Sequence, residues 1–217
     1  MSDTLSSRQR PGRLPRSARR AQLLEVALEV FVEQGYHAAS MDEIAERAGV
    51  SKPVVYQHFP GKLDLYLALI ETSCETIVTG VRAALASTSD NRRRVGAVMD
   101  LWFTYVADQG AAFRLVFESD LTNDPTVREQ VDRVIHESAA AIAEVIREDT
   151  GLPEEAAHLL ALGLVGMGHF GARNWLTSAS SLSKDDATRL VGNLAWRGIG
   201  GFPRDESPAS DQRQGEE

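Results

Sequence analysis

Polar and basic side chains are concentrated between residues 51 and 62 of this 217-residue chain. Lys52 and Gln57 have side chains that can read base edges in the DNA major groove, lysine at guanine acceptors and glutamine in a bidentate contact with adenine. Val54 can contact a thymine methyl group. The same side chains are also ordinary solvated residues on many helix surfaces, so their role depends on the element that carries them.

Two short helical patterns lie on either side of Gly49. The first covers residues 41–48, where Ile44, Ala45 and Ala48 form an apolar face. Its start carries the pattern of a capping box, in which the Ser40 hydroxyl accepts from the amide three residues on and the Glu43 carboxylate returns to the Ser40 amide. Gly49 follows at the position where a helix end needs a left-handed residue. These signals predict a short helix that stops sharply at a glycine turn.

The second pattern covers residues 51–59. Ser51 is a suitable N-cap, and Pro53 is tolerated in a first turn because its missing N–H would be unpaired there anyway. Val55 and Phe59 are expected to face inward. Helix, glycine turn and helix together predict a helix-turn-helix, whose second helix enters the major groove. The side chains left exposed on that second helix are Lys52, Pro53, Val54, Tyr56, Gln57 and His58.

A longer amphipathic helix precedes this pair and ends at Gly35. Its apolar stripe is Leu24, Ala27, Leu28, Phe31 and Val32, at helical spacing. With this helix included, the chain resembles the tetracycline-repressor (TetR-type) family of bacterial transcriptional regulators over about residues 17–66. The residues that carry the resemblance are Ala27, Phe31, Gly35, Tyr36, Ser40, Ile44, Ala45, Ala48, Gly49, Val50, Ser51, Tyr56, His58, Phe59, Lys62 and Leu65.

The resemblance implies roles that the residues alone do not establish. Ser40, Tyr56, His58 and Lys62 match family positions that contact DNA phosphates, and such contacts position a protein without reading sequence. The resemblance also implies a homodimer joined through the last two helices, a near-palindromic operator, and a repressor released by a small-molecule effector. The predicted DNA-binding residues are Ser40, Ser51, Lys52, Pro53, Val54, Tyr56, Gln57, His58 and Lys62.

The charge distribution agrees with this interpretation although the whole chain carries −8. Residues 1–62 hold nine Lys/Arg against seven Asp/Glu, a net +2, whereas the remainder carries −10. A basic part beside an acidic part orients the approach to phosphate. The single cysteine, Cys74, excludes an intrachain disulfide, and no secretory signal or apolar stretch of about 20 residues is present. We therefore expect a cytoplasmic protein with no membrane partner.

Periodicity predicts an all-α fold with four regions, and the resemblance implies the functional roles of the two helical regions. The four regions are a disordered basic arm (1–16), the helix-turn-helix domain (17–66), an effector-binding and dimerisation domain (67–202) and a disordered acidic tail (203–217). Arg8, Arg10, Arg13 and Arg16 in the arm either follow DNA or are incidental charges on a solvated tail. A long helix that begins near Lys62 is expected to connect the two domains and to act as a lever.

The sequence patterns define the effector site less well than any other feature of the chain. Aromatic, sulfur-containing and polar residues of the second domain are candidates, although any single residue of this kind is more often part of the core than a ligand contact. The string Gly166 to Gly171 matches GxGxxG, but no strand precedes it, so a dinucleotide site is rejected in favour of close helix packing. The candidate effector-binding residues are Trp102, Phe103, Phe113, Phe117, His136, Met167, Phe170 and Asn174.

Two other functional classes remain open at this point. One is a helical ligand-binding or adaptor protein whose helix-turn-helix no longer reads DNA. The other is a helical enzyme, although no nucleophile–base pair and no metal-ligand spacing support catalysis. We predict no cofactor, no bound metal and no catalytic residue.

Overall fold

The fold was examined in a computed structural model that describes residues 14–117, 121, 123–178 and 181–198. Across these residues the chain forms helices and no strands, so the all-α prediction is confirmed. The predicted arm, apart from residues 14–16, and the predicted tail lie outside the described residues. The helices are α1 (Arg16–Ala38), α2 (Met41–Arg47), α3 (Lys52–His58), α4 (Lys62–Ala86), α5 (Asn91–Asp108), α6 (Gly110–Phe117), α7 (Pro125–Thr150), α8 (Glu154–Thr177) and α9 (Lys184–Arg197).

The first three helices and the start of α4 share one part of the core. Leu23, Phe31, Ile44 and Val55 are buried there, and α1 packs against α2 and α4. The backbone of α1 breaks at Gly35, which has a φ of 78°, and one further turn continues to Ala38. The predicted end at Gly35 is therefore a kink at that residue followed by a short helical extension.

The long helix α4 joins this part of the molecule to the rest. It packs against α1 near one end and against α5, α6 and α7 along its length. The apolar stripe includes Ile70, Ile77 and Val81, all fully buried, as the sequence pattern predicts. The proposed domain boundary at residue 66 falls inside α4, so this helix belongs to both domains.

Helix α8 contains the GxGxxG string in continuous helix, and packing requires a glycine at one of its three positions, Gly168. A Cβ atom at Gly168 would lie 2.4 Å from Cδ1 of Trp102, so the indole occupies space that only a glycine leaves. A Cβ atom at Gly171 would lie 3.4 Å from Val191 and 3.6 Å from Phe103, which is ordinary van der Waals contact. Gly163 has nothing within 4 Å, so it lies on a face that the rest of the described chain leaves open.

Candidate DNA interface and effector cavity

The turn between α2 and α3 is fixed by a left-handed residue at Gly49, with a φ of 65°. The Val50 amide donates to the Ala45 carbonyl at 3.0 Å, and the Gly49 amide donates to the Glu46 carbonyl at 3.0 Å. This pair of bonds is the Schellman motif, which closes a helix and redirects the chain. The glycine predicted from sequence therefore sets the angle at which α3 leaves α2.

Ser40 caps α2 as predicted, because its hydroxyl accepts from the Glu43 amide at 3.2 Å. The reciprocal half of the capping box does not form among the described contacts. The Glu43 carboxylate instead accepts from the Gln34 amide at 2.5 Å and from the Arg47 guanidinium at 2.8 Å. Arg47 also pairs with Glu33 at 2.7 Å, so Glu43 links α2 to α1 rather than closing its own helix end.

Helix α3 presents its polar side to solvent because two apolar residues anchor it. Val55 and Phe59 are buried, as predicted, and Arg20 lies over the Phe59 ring at 4.5 Å. Tyr56 is 49% exposed. Ser51 begins the helix, and no side-chain cap is formed by its hydroxyl. The predicted base-reading and phosphate-contacting residues on α3 thus share a surface, except that Val54 and His58 are partly buried.

A polar groove of about 690 Å³ lies between the start of α1 and α3. Four of the predicted DNA-binding residues line it, together with Arg19, which sequence reasoning did not select. The sequence pattern of α1 indicated its apolar stripe, and the predicted boundary between arm and domain divided the basic run 16–20. Arg19 was therefore not selected. The groove is lined by Leu14, Arg16, Arg19, Val50, Ser51, Val54, Gln57 and His58.

The cations around this groove act on His58. Partial burial, followed by the charges of Arg16, Arg20 and Arg19, lowers the pKa of His58 from its ordinary value of 6.5. The imidazole is therefore mostly neutral near pH 7 in the free protein. A DNA phosphate bound in the groove would offset the positive charges of these arginines at His58.

The two predicted lysines have different surroundings. Lys52 is exposed and pairs with Asp42 at 2.5 Å. Lys62 donates from Nζ to the carbonyls of Tyr36, His37 and Ala39 at 2.7, 3.2 and 2.8 Å. An ammonium group has three donors, so these bonds use all of them. Lys62 therefore fastens the start of α4 to the end of α1, and its predicted phosphate contact stays a prediction.

The geometry is that of a helix-turn-helix beside a basic groove. Similarity to known proteins identifies the family to which the chain belongs. Residues 23–69 match the bacterial regulatory proteins of the tetR family. The chain is 44% identical over 194 residues to FasR of Mycolicibacterium smegmatis, named a helix-turn-helix transcriptional activator, with 89% of each chain covered. This chain belongs to the TetR family. Its relatives are transcriptional regulators rather than enzymes, and they place its role in DNA-binding regulation.

Solved structures of the family share the fold of this TetR-family chain. A TetR-like regulator from Rhodococcus sp. RHA1 is 27% identical, has a TM-score of 0.66, and is matched over 88% of this chain and 100% of that one. FadR from Bacillus subtilis, solved with stearoyl-CoA, is 17% identical with a TM-score of 0.71 over 82% and 98%. The second likeness establishes the fold alone.

The second domain contains an apolar cavity of about 350 Å³. It lies where the end of α4 meets α5, α7, α8 and α9. Apolar side chains form most of its wall, and a small polar group stands at one side. The lining residues are Leu85, Asn91, Arg94, Val95, Val98, Met99, Ile142, Val145, Ile146, Asp149, Thr150, Leu164, Ala195 and Trp196.

None of the eight predicted effector-binding residues lines this cavity. Trp102, Phe103 and Phe113 are buried and fill the core, and Phe117 packs beside His169 with ring centroids 4.3 Å apart. The other four are exposed on helix surfaces, although the His136 ring centroid lies 6.2 Å from that of His158 on α8. The four are His136, Met167, Phe170 and Asn174. An effector role for these eight stays a prediction.

No group of three or more His, Cys, Asp or Glu side chains among the described residues could hold a metal ion. No helix within the same residues is long and apolar enough to cross a membrane. Cys74 is buried, and burial raises the pKa of its thiol to about 11, as expected for an unreactive core cysteine.

Proposed function

We propose that this protein is a homodimeric, cytoplasmic, sequence-specific transcriptional regulator whose DNA affinity is controlled by a small molecule bound in the second domain. The observation that carries the proposal is the surface of α3 beside the basic groove. A Schellman turn and two buried anchors hold that surface outward. Lys52 and Gln57 are exposed on it and have the chemistry of base readout.

The phosphate contacts are assigned to the rim of the same surface. Ser40, Tyr56 and His58 are predicted to position the protein on the backbone, and Arg16 and Arg19 are added to them from the groove. Ser51, Pro53 and Val54 lie at the start of α3 and complete the predicted contact surface. This set combines base readout with positioning, which a sequence-specific binder requires.

The homodimer is supported by an apolar face on α8 and α9. Leu159 is 71% exposed and Phe170 is 62% exposed. Gly163 lies between them with open space above it, which permits close approach of a second helix. On α9, Leu190 and Trp196 are also exposed. A two-fold dimer through this face would present two α3 helices to a near-palindromic operator.

The dimer is tested by a single charge on the exposed face. Phe170→Glu is expected to convert the dimer to a monomer in light scattering coupled to size exclusion, because a carboxylate would be buried unpaired. Glu155→Gln, on the exposed first turn of the same helix, serves as the control and should remain dimeric. A Phe170→Glu protein that stays dimeric would place the interface elsewhere.

Whether the protein activates or represses transcription can be tested directly. The sequence predicted a repressor, whereas the mycobacterial relative is named an activator. We propose activation as the first alternative to test, with effector binding reducing DNA affinity in either case. An effector can do this only if it binds the DNA-incompetent state more tightly. Transcription in vitro from a bound promoter, with and without the protein, separates activation from repression.

DNA recognition is tested by fluorescence anisotropy with DNA from immediately upstream of the protein's own gene. We expect nanomolar affinity and at least about 10³-fold preference over scrambled DNA of equal composition. Gln57→Ala should weaken binding by about 10-fold or more, as the loss of one base contact does. Arg128→Ala on the exposed surface of α7 is the control. Equal, salt-sensitive weak binding to both DNAs would favour the adaptor alternative.

Stearoyl-CoA is the first natural ligand to test, because FadR was solved with it. Release of bound DNA by stearoyl-CoA, but not by coenzyme A alone, would identify a long acyl group as the signal. No release by either would leave the effector to be found among other apolar compounds.

A further inference from the structure

The wall of the apolar cavity is formed mostly by apolar side chains, with a polar group at one side. Its deep surface is built from residues such as Val98, Ile142 and Leu164, which come from three different helices. A volume of about 350 Å³ is at the lower end of the range of about 300–1,000 Å³ found for small-molecule sites. The cavity can therefore enclose a compact apolar group.

The polar side of the cavity is occupied by a connected set of hydrogen bonds. Arg94 donates from Nε to the carbonyls of Leu85 and Thr88 at 3.1 and 2.7 Å. Its Nη1 donates to Asn91 at 3.0 Å and to Asp149 at 3.4 Å. Asn91 also donates to Asp149 at 2.8 Å. The cation and the carboxylate thus compensate each other beside the cavity.

The Arg94–Asp149 ion pair determines whether a charged or an uncharged ligand group can enter the cavity. A ligand carboxylate would have to compete with Asp149 for Arg94, and a ligand ammonium would have to compete with Arg94 for Asp149. The side chains of Arg94 and Asp149 are 22% and 39% exposed, so either competition breaks an ion pair that is partly shielded from water, at a modest cost in free energy. An uncharged group avoids that cost and gains from burial of its apolar surface.

We infer that this cavity is the effector site and that it takes an uncharged apolar group, such as an alkyl or aryl moiety, while it excludes a charged end. This inference rests on the proposed function, because it assumes that a ligand controls the protein. Any charged part of a larger ligand must remain outside the Arg94–Asp149 pair.

The same pair connects the site to the lever. Leu85 lies in the last turn of α4 and lines the cavity, and its carbonyl accepts from Arg94. Asp149 lies in the last turn of α7, where the negative end of the helix dipole disfavours a carboxylate unless it is paired. A ligand that moves Arg94 therefore changes the contacts at the end of α4.

The experiment compares three probes that have the same eight-carbon chain: 1-octanol, octanoate and octylamine. Isothermal titration calorimetry of the full chain near pH 7 is expected to show octanol binding at least about 10-fold more tightly than either charged probe, the effect of about 1.4 kcal/mol. Octanoate or octylamine binding as tightly as octanol would overturn the charge selection. Absence of octanol binding would overturn the site itself.

Two variants locate and explain the binding. Val145→Trp fills the cavity and should abolish octanol binding in protein whose circular dichroism and melting temperature show that it is folded. Asp149→Asn leaves Arg94 without its carboxylate and should improve octanoate binding relative to octanol by about 10-fold. Asp132→Asn, exposed on the same helix, should leave that ratio unchanged. An unchanged ratio in Asp149→Asn would contradict the role of the pair.

Specific DNA binding by the same preparations, measured without a probe, separates the two proposals. If operator DNA is bound specifically and octanol is not, the cavity inference fails and the proposed function stands. If octanol binds as expected and no DNA is selected, the cavity inference stands as a ligand site and the DNA function fails.

Discussion

The two ends of α4 are each held by a cation that donates to main-chain carbonyls, but the cations serve different neighbours. Lys62 at the first end donates to the carbonyls of Tyr36 and His37 in the last turn of α1 and of Ala39 just beyond it. Arg94 at the second end comes from α5 and binds Leu85, in the last turn of α4, and Thr88 just beyond it. The first contact fastens α4 to the DNA-facing helices, and the second fastens it to the wall of the cavity.

This difference suggests how a signal could pass along the molecule. Because Lys62 uses every donor on one short segment of α1, the start of α4 and the end of α1 should move together. Arg94 also pairs with the side chains of Asn91 and Asp149, so a ligand that changes those partners can change how Arg94 holds the end of α4. A rigid attachment at one end and an exchangeable attachment at the other suit a lever.

The largest expected effect comes from Lys62→Met, which keeps the side-chain length and removes the ammonium. Three carbonyls at the end of α1 would lose their donor, and we expect the free energy of unfolding to fall by about 2 kcal/mol. The factor by which DNA affinity falls should be the same at every salt concentration. Chemical denaturation and anisotropy across a salt series measure the two quantities.

Lys52→Met is the matched control for that comparison. Lys52 is exposed and holds a single surface ion pair, so its loss should change stability by less than about 0.5 kcal/mol. Lys52 is assigned to base readout, so its loss should weaken binding to the specific DNA more than to scrambled DNA. A lysine lost from a phosphate contact would instead reduce the slope of log affinity against log salt by about one. If Lys62→Met instead reduces that slope and leaves stability unchanged, Lys62 contacts phosphate and does not clamp α1.

A second prediction concerns the turn that aims α3. Gly49→Ala places a Cβ at a φ of 65°, where an L-residue costs about 1–2 kcal/mol. Open space surrounds the position, so the cost arises from the backbone and not from a clash. Denaturation should show this loss, and Gly96→Ala, exposed within α5, should be neutral or stabilising. Equal stability of Gly49→Ala and the native protein would mean that the turn relaxes to another conformation.

Local signals explain why the DNA-facing part was predictable from sequence. A serine cap, a glycine at the left-handed position and two inward apolar residues lie within twenty residues of one another, so their physical consequences do not depend on distant parts of the chain. The same applies to the starts of two other helices, where Asp124 and Ser183 cap α7 and α9 through their own side chains. Such caps act within one turn.

The cavity was not predictable in this way because no segment contains it. Its wall brings Leu85 together with Trp196, and the Arg94–Asp149 pair joins residues 55 positions apart. Aromatic residues were the natural candidates for a ligand site, yet Trp102 and Phe103 are used to fill the core. The acceptors of Lys62 were missed for the same reason, since they lie 23 to 26 residues away.

A smaller effect is expected at the cavity end of α4. Arg94→Met removes hydrogen bonds that are partly exposed to solvent, and we expect a loss of about 1 kcal/mol in the free energy of unfolding. DNA affinity in the absence of ligand should remain within about two-fold, because this end of α4 does not contact α1. Arg93→Met, at the exposed position directly before Arg94, is the control. A large loss of DNA affinity in Arg94→Met would mean that the two ends of α4 are coupled without ligand.

The smallest effect concerns protonation at the DNA-facing end. Burial and the neighbouring arginines lower the pKa of His58 below 6.5, so the free protein holds it mostly neutral. A DNA phosphate favours the charged imidazole, so the pKa of His58 rises on binding and the complex takes up a proton. Affinity should therefore increase as pH falls, by about two- to five-fold between about pH 7.5 and about pH 6 at constant ionic strength. His58→Gln should remove this dependence, and the same dependence in His58→Gln as in the native protein would assign it to another group and place His58 away from phosphate.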